Sequence, residues 1–313
     1  MMKYQEIIAS LPKKEIWNGV SYIYEYQGFW FNSPFLEGTI SVQESFQAQP
    51  GDIVLCSAMK TGTTWLKALA FAIVTRNQFD VLSSDNNNNH PLFNAVPHDC
   101  IPFLEVDLVE NKKDPEMPLL STHLPFSSLP KCIISKDCKM VYICRDPKDT
   151  FVSYWHFLQR VLPGKQLSLE KEFEMFCDGS SVYGPYWDHV LGYWKASIER
   201  PDSVLFLKYE DLKRGTLFYV RKLGEFMGQP FTAEEERRGA AERIVELCSL
   251  QKLSGLEVNK TGKHRQGTAL SINNDSFFRR GVVGDWKNLL IPQMQRRMDE
   301  ITEQKLQGSG FSF

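Results

Sequence analysis

Short apolar runs alternate with longer segments of helical periodicity through most of this chain. The apolar runs are Ile53 to Cys56, Pro118 to Thr122, Met140 to Cys144 and Val204 to Lys208. Because nearly continuous apolar runs are typical of strands buried on both faces, they predict a largely parallel sheet. Helices between the strands would cover both faces of this sheet, so we expect an α/β fold.

Apolar residues recur at helical spacing between these runs. In the segment Thr64 to Thr75, the side chains of Trp65, Leu69 and Ile73 would share one face, which can pack on the sheet. The other helical segments are Asp149 to Arg160, Tyr186 to Arg200 and Leu217 to Met227. No linker or internal repeat is evident. We therefore predict a single domain over residues 1–313, with a central, mostly parallel sheet flanked by helices.

The composition excludes several classes of protein. The chain has 313 residues, 42% hydrophobic and 24% charged, with a formal net charge of -2, as expected for a globular protein with a sizeable core. The chain has no strongly basic region, which argues against a nucleic-acid partner. Neither a bilayer-length apolar run nor a signal-peptide pattern is present, so we expect a cytoplasmic protein without a membrane partner. The seven cysteines lack zinc-type spacing.

A glycine-containing turn joins the first apolar run to the first helical segment. This strand-turn-helix arrangement resembles a P-loop, because N–H groups at a helix start and the positive end of the helix dipole favour an anion. Lys60 adds a positive charge, and Gly62 allows a phosphate to approach the backbone. Three hydroxyl donors follow or flank the glycine: Thr61, Thr63 and Thr64. The turn predicts a mononucleotide site.

The order of residues in this turn differs from that of nucleotide triphosphatases. Their loop places an earlier glycine before Gly-Lys-Ser/Thr, whereas here Lys60 precedes Gly62. This order argues against a magnesium-dependent ATPase or kinase and favours an enzyme that grips a phosphate-like group without a metal. A plain strand-to-helix turn with a solvated lysine would also fit. Because no histidine or cysteine pair has ligand spacing, we expect no metal site.

Polar residues follow the other apolar runs directly, where ligands bind in parallel α/β sheets. They are His123, Arg145 and Tyr209. Arg145 can bind a phosphate with its guanidinium fork, and Ser153 lies two turns along the following helix. Alternatively, Arg145 pairs with Asp146 or Asp149. His123 is either a general base or a buried structural histidine. No chemistry is assigned to the remaining histidines: His90, His98, His156, His189 and His264.

A polar stretch near the carboxyl end carries two adjacent arginines. It spans about residues 254–281, which we call the lid segment, and ends in Arg279, Arg280 and Gly281. Arginines on a closing segment can clamp a phosphate after a nucleotide has bound. The alternative is an exposed basic loop.

Together these motifs resemble, in order and spacing, the cytosolic sulfotransferases. The resemblance is carried by Lys60 to Trp65, Thr122 to Pro125, Arg145 to Asp149 with Ser153, Tyr209 to Asp211 and Phe278 to Lys287. Two further segments, Pro185 to Lys195 and Leu256 to Lys260, resemble the plant branch of the family. That branch includes flavonol, brassinosteroid, hydroxyjasmonate and desulfoglucosinolate sulfotransferases.

The resemblance implies sulfuryl transfer from 3′-phosphoadenosine 5′-phosphosulfate (PAPS) to a hydroxyl of a small acceptor, such as a flavonoid, a steroid or another plant metabolite. By match to the family motifs, Lys60, Thr61, Gly62, Thr63 and Thr64 would hold the 5′-phosphosulfate. The 3′-phosphate would contact Arg145, Ser153, Arg279, Arg280 and Gly281. Trp65 and Tyr209 would flank the adenine. His123 would be the catalytic base, with Lys60 as the second catalytic group.

Some positions depart from the wider family pattern. Ser121 stands where many animal members have lysine, and Leu250 stands where an adenine-stacking aromatic residue is frequent. The dimer motif of animal members is also incomplete, which favours a monomer or a weak homodimer. Aromatic residues that could line an acceptor pocket are Trp30, Phe31, Phe103, Phe157 and Tyr183. Two rival functions stay open: a magnesium-dependent phosphate-transferring enzyme and a noncatalytic nucleotide-binding homologue.

Overall fold

The strands that the structure describes form three sheets, and a parallel sheet lies at the centre. The computed structural model describes residues 4–79, 89–108, 117–136, 138–162, 164 and 166–313. Within these residues the strands are β1 (Lys13–Ile16), β2 (Ser21–Tyr26), β3 (Phe29–Asn32), β4 (Ile53–Ser57), β5 (Leu119–Thr122), β6 (Lys139–Cys144), β7 (Val204–Lys208), β8 (Lys263–His264) and β9 (Ile272–Asn273). The central sheet has the order β5-β4-β6-β7 and is parallel throughout, as the apolar runs predicted.

Helices connect and cover these strands. In the described residues they are α1 (Gln5–Ala9), α2 (Ser33–Ser45), α3 (Thr63–Thr75), α4 (Pro97–Cys100), α5 (Leu104–Asp107), α6 (Lys131–Ser135), α7 (Pro147–Val161), α8 (Leu169–Cys177), α9 (Tyr186–Glu199), α10 (Tyr209–Arg214), α11 (Thr216–Phe226), α12 (Ala233–Arg237), α13 (Ala240–Leu247), α14 (Leu250–Gly255), α15 (Glu257–Thr261) and α16 (Pro292–Leu306). The predicted helices correspond to α3, α7, α9 and α11. Each observed helix begins and ends within two residues of its predicted bounds.

Alternate residues of the central strands enter two different apolar clusters. On β4, the side chains of Ile53 and Leu55 pack in a cluster that includes residues of α3, α11 and α13. Val54 and Cys56 instead join the cluster that includes residues of α2, α9 and α16. Because successive side chains of a strand point to opposite faces, this division explains why the strands read as continuous apolar runs.

An antiparallel sheet of β1, β2 and β3, which the sequence patterns did not predict, precedes the central sheet. The turn between β2 and β3 consists of Gln27 and Gly28, with φ angles of 54° and 80°. Positive φ at both turn residues matches a two-residue turn of the kind that suits the twist of a hairpin. Glutamine is an unusual first residue for such a turn, so the usual Asn-Gly or Asp-Gly signal is missing between β2 and β3, although Asn18-Gly19 occurs between β1 and β2.

The buried carboxyl group of Glu172 on α8 makes the stability of the fold depend on pH. Its side chain is buried, and burial raises the pKa of the carboxyl group to about 7. The folded state therefore loses stability as the pH rises from 4.5 through 7, because the unfolded chain releases this proton at a lower pH than the folded protein does. We expect Glu172→Gln to be more stable than the native protein by about 2 to 3 kcal/mol at pH 8 and equally stable at about pH 3, below both pKa values. Urea unfolding at both pH values measures this, and identical midpoints at pH 8 would contradict it.

Candidate active site

A cavity of about 260 Å³ opens at the carboxyl ends of the four central strands. Each strand delivers one polar or charged side chain to its wall directly or shortly after the strand ends. These side chains are Lys60 after β4, His123 after β5, Arg145 after β6 and Tyr209 after β7. The sequence predicts these residues at this edge of the sheet, and the structure brings them into one cavity.

Most of the other predicted site residues also line the cavity. They are Gly62, Thr63, Thr64, Trp65, Ser153, Arg279 and Gly281. Two predicted residues do not line it. The Thr61 hydroxyl oxygen lies 2.9 Å from the carbonyl oxygens of Ala58 and Ile143, so its proton is engaged by the backbone. The Arg280 side chain is 62% exposed, and its guanidinium lies 2.9 Å from the carboxylate of Asp285.

The turn after β4 leaves the start of α3 free to bind an anion. Lys60 and Gly62 have φ angles of 68° and 120°, which let the chain reverse within three residues. A Cβ atom on Gly62 would lie 2.9 Å from the Tyr209 ring and 3.1 Å from the Ile143 side chain, so no larger residue fits without a shift. No side chain caps the first turn of α3. Its free N–H groups and the helix dipole therefore favour a negatively charged ligand at this end.

The Lys60 ammonium lies beside the turn without a neutralising carboxylate. Its Nζ atom is 4.0 Å from the centre of the Phe157 ring, and no ion pair with Lys60 occurs among the described residues. Burial lowers the pKa of Lys60 to about 7, and the positive charges of Arg279, Arg145 and Arg160 add to this effect. An anion placed among these cations would reverse the repulsion.

Arg145 and Arg279 each bury a guanidinium nitrogen that has no hydrogen-bond partner among the described residues. The Arg145 guanidinium donates to the carbonyl of Val282 at 2.7 Å and lies 3.4 Å from the Asp149 carboxylate, so the predicted alternative of an ion pair is also present. Arg279 pairs with Asp285. Yet the buried Nε atoms of both arginines lack partners within the described part of the chain. Because buried donors are nearly always satisfied, both groups fit a ligand with several acceptor oxygens.

His123 lines the cavity, and one nitrogen of its ring is engaged by the backbone. Its Nδ1 atom lies 2.7 Å from the backbone carbonyl oxygen of Ser57. Since a carbonyl oxygen only accepts, Nδ1 carries the proton, and Nε2 is left as the unprotonated nitrogen of the neutral ring. Burial lowers the pKa of His123 to about 3, against the opposing effect of the Ser57 hydrogen bond. The ring is therefore neutral at pH 7 and able to accept a proton.

Aromatic side chains occupy two parts of the site. The Trp65 and Tyr209 rings meet edge to face with centres 5.7 Å apart, and the Arg145 guanidinium lies 4.5 Å from the centre of the Tyr209 ring. Phe103 and Tyr183 flank His123, with ring centres 4.7 and 5.4 Å from the imidazole. Of the other aromatic residues predicted for an acceptor pocket, Phe157 lines the cavity, whereas Phe31 is fully buried in the core.

Comparison with known proteins shows which family this chain belongs to. The family model of the sulfotransferase domain matches residues 50–310. The chain belongs to the sulfotransferase family. Cytosolic sulfotransferase 17 of Arabidopsis thaliana is 47% identical to this sulfotransferase over 315 residues, which cover 98% of this chain and 89% of that protein. Flavonol 3-sulfotransferase of Flaveria bidentis is 47% identical over 293 residues, 92% of each chain.

A solved structure supports the same assignment. A mouse sulfotransferase, SULT7A1, crystallised in complex with PAP, superposes with a TM-score of 0.70 at 26% sequence identity. The match covers 92% of this chain and 95% of the mouse chain. The resemblance drawn from the motifs, including its plant character, is thereby confirmed, and the protein is a sulfotransferase enzyme.

Among the residues at or beside the site that were not predicted are His98 and Glu105. His98 lines the cavity, with its Nε2 atom 2.9 Å from the Thr64 hydroxyl and its ring 4.1 Å from that of Phe277. Glu105 lies behind His123 and accepts a hydrogen bond from its backbone N–H at 2.9 Å. Both belong to the one-turn helices α4 and α5, which are too short to show a periodic pattern in the sequence.

Within the described ranges, no group of three or more histidine, cysteine, aspartate or glutamate side chains is arranged to hold a metal ion. Among the same residues, no helix combines the length and apolar character needed to cross a bilayer.

Proposed function

We propose that this sulfotransferase transfers the sulfuryl group of PAPS to a hydroxyl of a small plant metabolite, with His123 as the general base. The observation that carries the proposal is the meeting of Lys60, His123, Arg145 and Tyr209 in one cavity at the ends of four parallel strands. The buried Nε atoms of Arg145 and Arg279, which have no partner in the described part of the chain, add to it, because a phosphate would satisfy both. A structural relative was crystallised with PAP.

The nucleotide would be held from two sides. We assign the 5′-phosphosulfate to Lys60, to the hydroxyls of Thr63 and Thr64, and to the uncapped start of α3. Thr61 would contribute through its backbone N–H, since its hydroxyl is engaged elsewhere. We assign the 3′-phosphate to a second group of residues: Arg145, Ser153, Arg279, Arg280 and Gly281. Trp65 and Tyr209 would flank the adenine.

The chemical step needs a base and a cation at opposite ends of the transferred group. Nε2 of His123 would accept the acceptor's proton while the acceptor oxygen forms its bond to sulfur and the bond from sulfur to the bridging phosphate oxygen breaks. Lys60 would stabilise the negative charge that develops on that leaving oxygen. A pKa of about 3 is low for a base. The negative charges of a bound nucleotide would raise it towards neutrality.

The acceptor side of the cavity is apolar. Phe157, Met59 and Phe277 line it, and such side chains suit a planar, hydroxylated molecule. The relative from Flaveria bidentis is a flavonol 3-sulfotransferase, so we propose a flavonoid, a steroid or a similar plant metabolite as acceptor. Leu250 also lines the cavity, and it offers the adenine an aliphatic surface instead of a ring.

The lid segment would close over the bound nucleotide. Phe277, Phe278, Arg279 and Gly281 from this segment line the cavity. Other parts of it are tied to the body of the protein by Arg160, which donates to the carbonyl of Asp275 at 2.9 Å. We further propose that residues 1–313 form one domain, that the protein acts in the cytoplasm as a monomer or weak homodimer, and that it uses no metal.

Radiolabelled PAPS tests this proposal directly. Purified protein would be assayed against a panel of flavonols, brassinosteroids, hydroxyjasmonate and desulfoglucosinolates, with and without EDTA. We expect sulfated product from at least one acceptor, unaffected by EDTA, and binding of adenosine 3′,5′-bisphosphate by calorimetry. Transfer of phosphate from ATP that requires Mg²⁺ would favour the rival phosphate-transferring enzyme. Nucleotide binding with no turnover on any acceptor class would favour a noncatalytic homologue.

A further inference from the structure

Glu105 is a buried carboxylate at the back of the candidate base, and the assigned chemistry does not use it. It lies on the one-turn helix α5, and its side chain is inaccessible to solvent. One carboxylate oxygen accepts from the backbone N–H of His123 at 2.9 Å and from the Tyr183 hydroxyl at 3.0 Å. The other accepts from the Thr122 hydroxyl at 2.8 Å. Three donors therefore converge on one acid.

This set of donors holds the backbone on both sides of His123. The Thr122 hydroxyl oxygen, which donates to Glu105, also accepts from the backbone N–H of Leu124 at 2.9 Å. The chain is thus tied to Glu105 at residue 123 directly and at residues 122 and 124 through one hydroxyl group. The strand β5 ends at Thr122, so the backbone after it has no hydrogen bonds to a neighbouring strand. The bonds to Glu105 and Thr122 satisfy backbone groups there instead.

The helix that carries Glu105 is itself fixed in place. A Cβ atom on Gly38 of α2 would lie 1.7 Å from the carbonyl oxygen of Glu105, so α2 and α5 are in direct backbone contact. The Asp107 carboxylate accepts from the backbone N–H of Phe103 at 2.7 Å and pairs with Arg265 of the lid segment at 2.9 Å. Glu105 therefore projects from a rigid support.

The donors indicate that the carboxyl group works as an anion. Burial raises the pKa of Glu105, while hydrogen bonds from His123, Thr122 and Tyr183 act in the opposite direction. A protonated acid would add a fourth hydrogen to a space that already holds three donors. Removing a buried carboxylate whose hydrogen bonds are all satisfied destabilises the protein, because its donors are left buried without an acceptor.

We propose that Glu105 is a positioning residue for the base: its carboxylate fixes the backbone at residues 122–124 and the Tyr183 side chain, and so holds the His123 ring between Phe103 and Tyr183. This inference rests on the proposed role of His123. Glu105 touches neither nucleotide nor acceptor and acts only through His123. Misplacement of a reacting group by about 1 Å can cost roughly 100-fold in rate, so the support of the base bears directly on turnover.

The first test is Glu105→Gln, which keeps the shape of the side chain but removes its charge and one of its acceptor groups. We expect kcat to fall about 10- to 100-fold, with the KM for PAPS and the affinity for adenosine 3′,5′-bisphosphate within about twofold of native values. Rates would be expressed per nucleotide-binding site, so that unfolded protein does not count. Glu172→Gln is the matched control: it also neutralises a buried glutamate, but away from the cavity lining, and kcat should not change.

Two milder variants keep the proposal testable if Glu105→Gln does not fold. Thr122→Val and Tyr183→Phe each remove one donor and leave the carboxylate in place, and each should lower kcat about 3- to 10-fold at unchanged nucleotide affinity. Glu105→Asp keeps the charge and should recover part of the lost rate. A purely structural role would lower the melting temperature but leave kcat per folded site at the native value.

His123→Ala separates failure of this inference from failure of the proposed function. If His123→Ala is inactive while Glu105→Gln, Thr122→Val and Tyr183→Phe all keep the native kcat, the positioning role is overturned and the base is retained. If His123→Ala keeps its turnover, the base assignment itself is wrong. The same nucleotide titration serves every variant, so loss of the site would be seen as loss of binding.

Discussion

Replacing His123 with alanine is expected to lower kcat by about 10²- to 10⁴-fold and to leave the affinity for adenosine 3′,5′-bisphosphate within about twofold. The reason is geometric: Nδ1 is committed to the carbonyl of Ser57, so Nε2 is the nitrogen available to take the acceptor's proton. The imidazole is not among the groups assigned to the nucleotide. Steady-state transfer from labelled PAPS gives kcat, and isothermal titration calorimetry gives the affinity.

His90→Asn is a suitable control for the His123 variant. His90 is also buried, and burial lowers its pKa to about 4, but it does not line the cavity. Its Nδ1 atom accepts from the backbone N–H of Leu92 at 3.2 Å, a bond that an asparagine oxygen could replace. The control should keep the native kcat. Native turnover in His123→Ala, with His90→Asn equally active, would remove His123 from its assigned role.

Replacing Lys60 with methionine is expected to impair both turnover and nucleotide binding. We expect kcat to be lower by about 10²- to 10³-fold and nucleotide affinity to be lower by about 10-fold. Methionine retains the apolar stem that packs near Phe157 but cannot carry charge. Loss of the ammonium removes an attraction to the bound phosphosulfate and a larger attraction to the charge that develops on the leaving oxygen. Rate and affinity would be measured as for His123→Ala.

Lys222→Met provides the comparison for the Lys60 variant. Lys222 on α11 also lies near an aromatic ring, 6.0 Å from the centre of Tyr219, but it does not line the cavity. We expect native kinetics in this control. If Lys60→Met matched it in both kcat and affinity, the turn after β4 would not hold the reacting end of the nucleotide.

The central sheet could be predicted from the sequence because its strands are buried on both faces. Such strands leave long apolar runs, and the first polar residue after each run marks the sheet edge, as at His123 and Arg145. The N-terminal sheet was missed although Asn18-Gly19 is a common turn pair between β1 and β2, because β1 and β3 have only four residues each and the Gln27-Gly28 turn lacks such a pair. Its strands also expose much of one face, which dilutes their apolar signal.

Details of the site depended on three-dimensional contacts that sequence spacing does not specify. The turn after β4 was predicted, but the hydroxyl of Thr61 turns inwards to the carbonyl of Ile143 instead of towards the cavity. The supporting residues His98 and Glu105 lie on one-turn helices, where no repeat can form. Their partners are 34 and 18 residues away in the chain. The assigned roles of the individual site residues stay predictions until the variants are measured.

The unneutralised ammonium of Lys60 has a consequence for the thermodynamics of binding. With a pKa of about 7, this group is only partly charged at neutral pH. An incoming polyanion would draw a proton onto it, so binding heats at pH 8 should vary with the ionisation enthalpy of the buffer, and affinity should weaken as the pH rises above 7. Lys60→Met should abolish the buffer dependence that stems from this group. Ligand capture in this enzyme would then be linked to uptake of a hydrogen ion from the solvent.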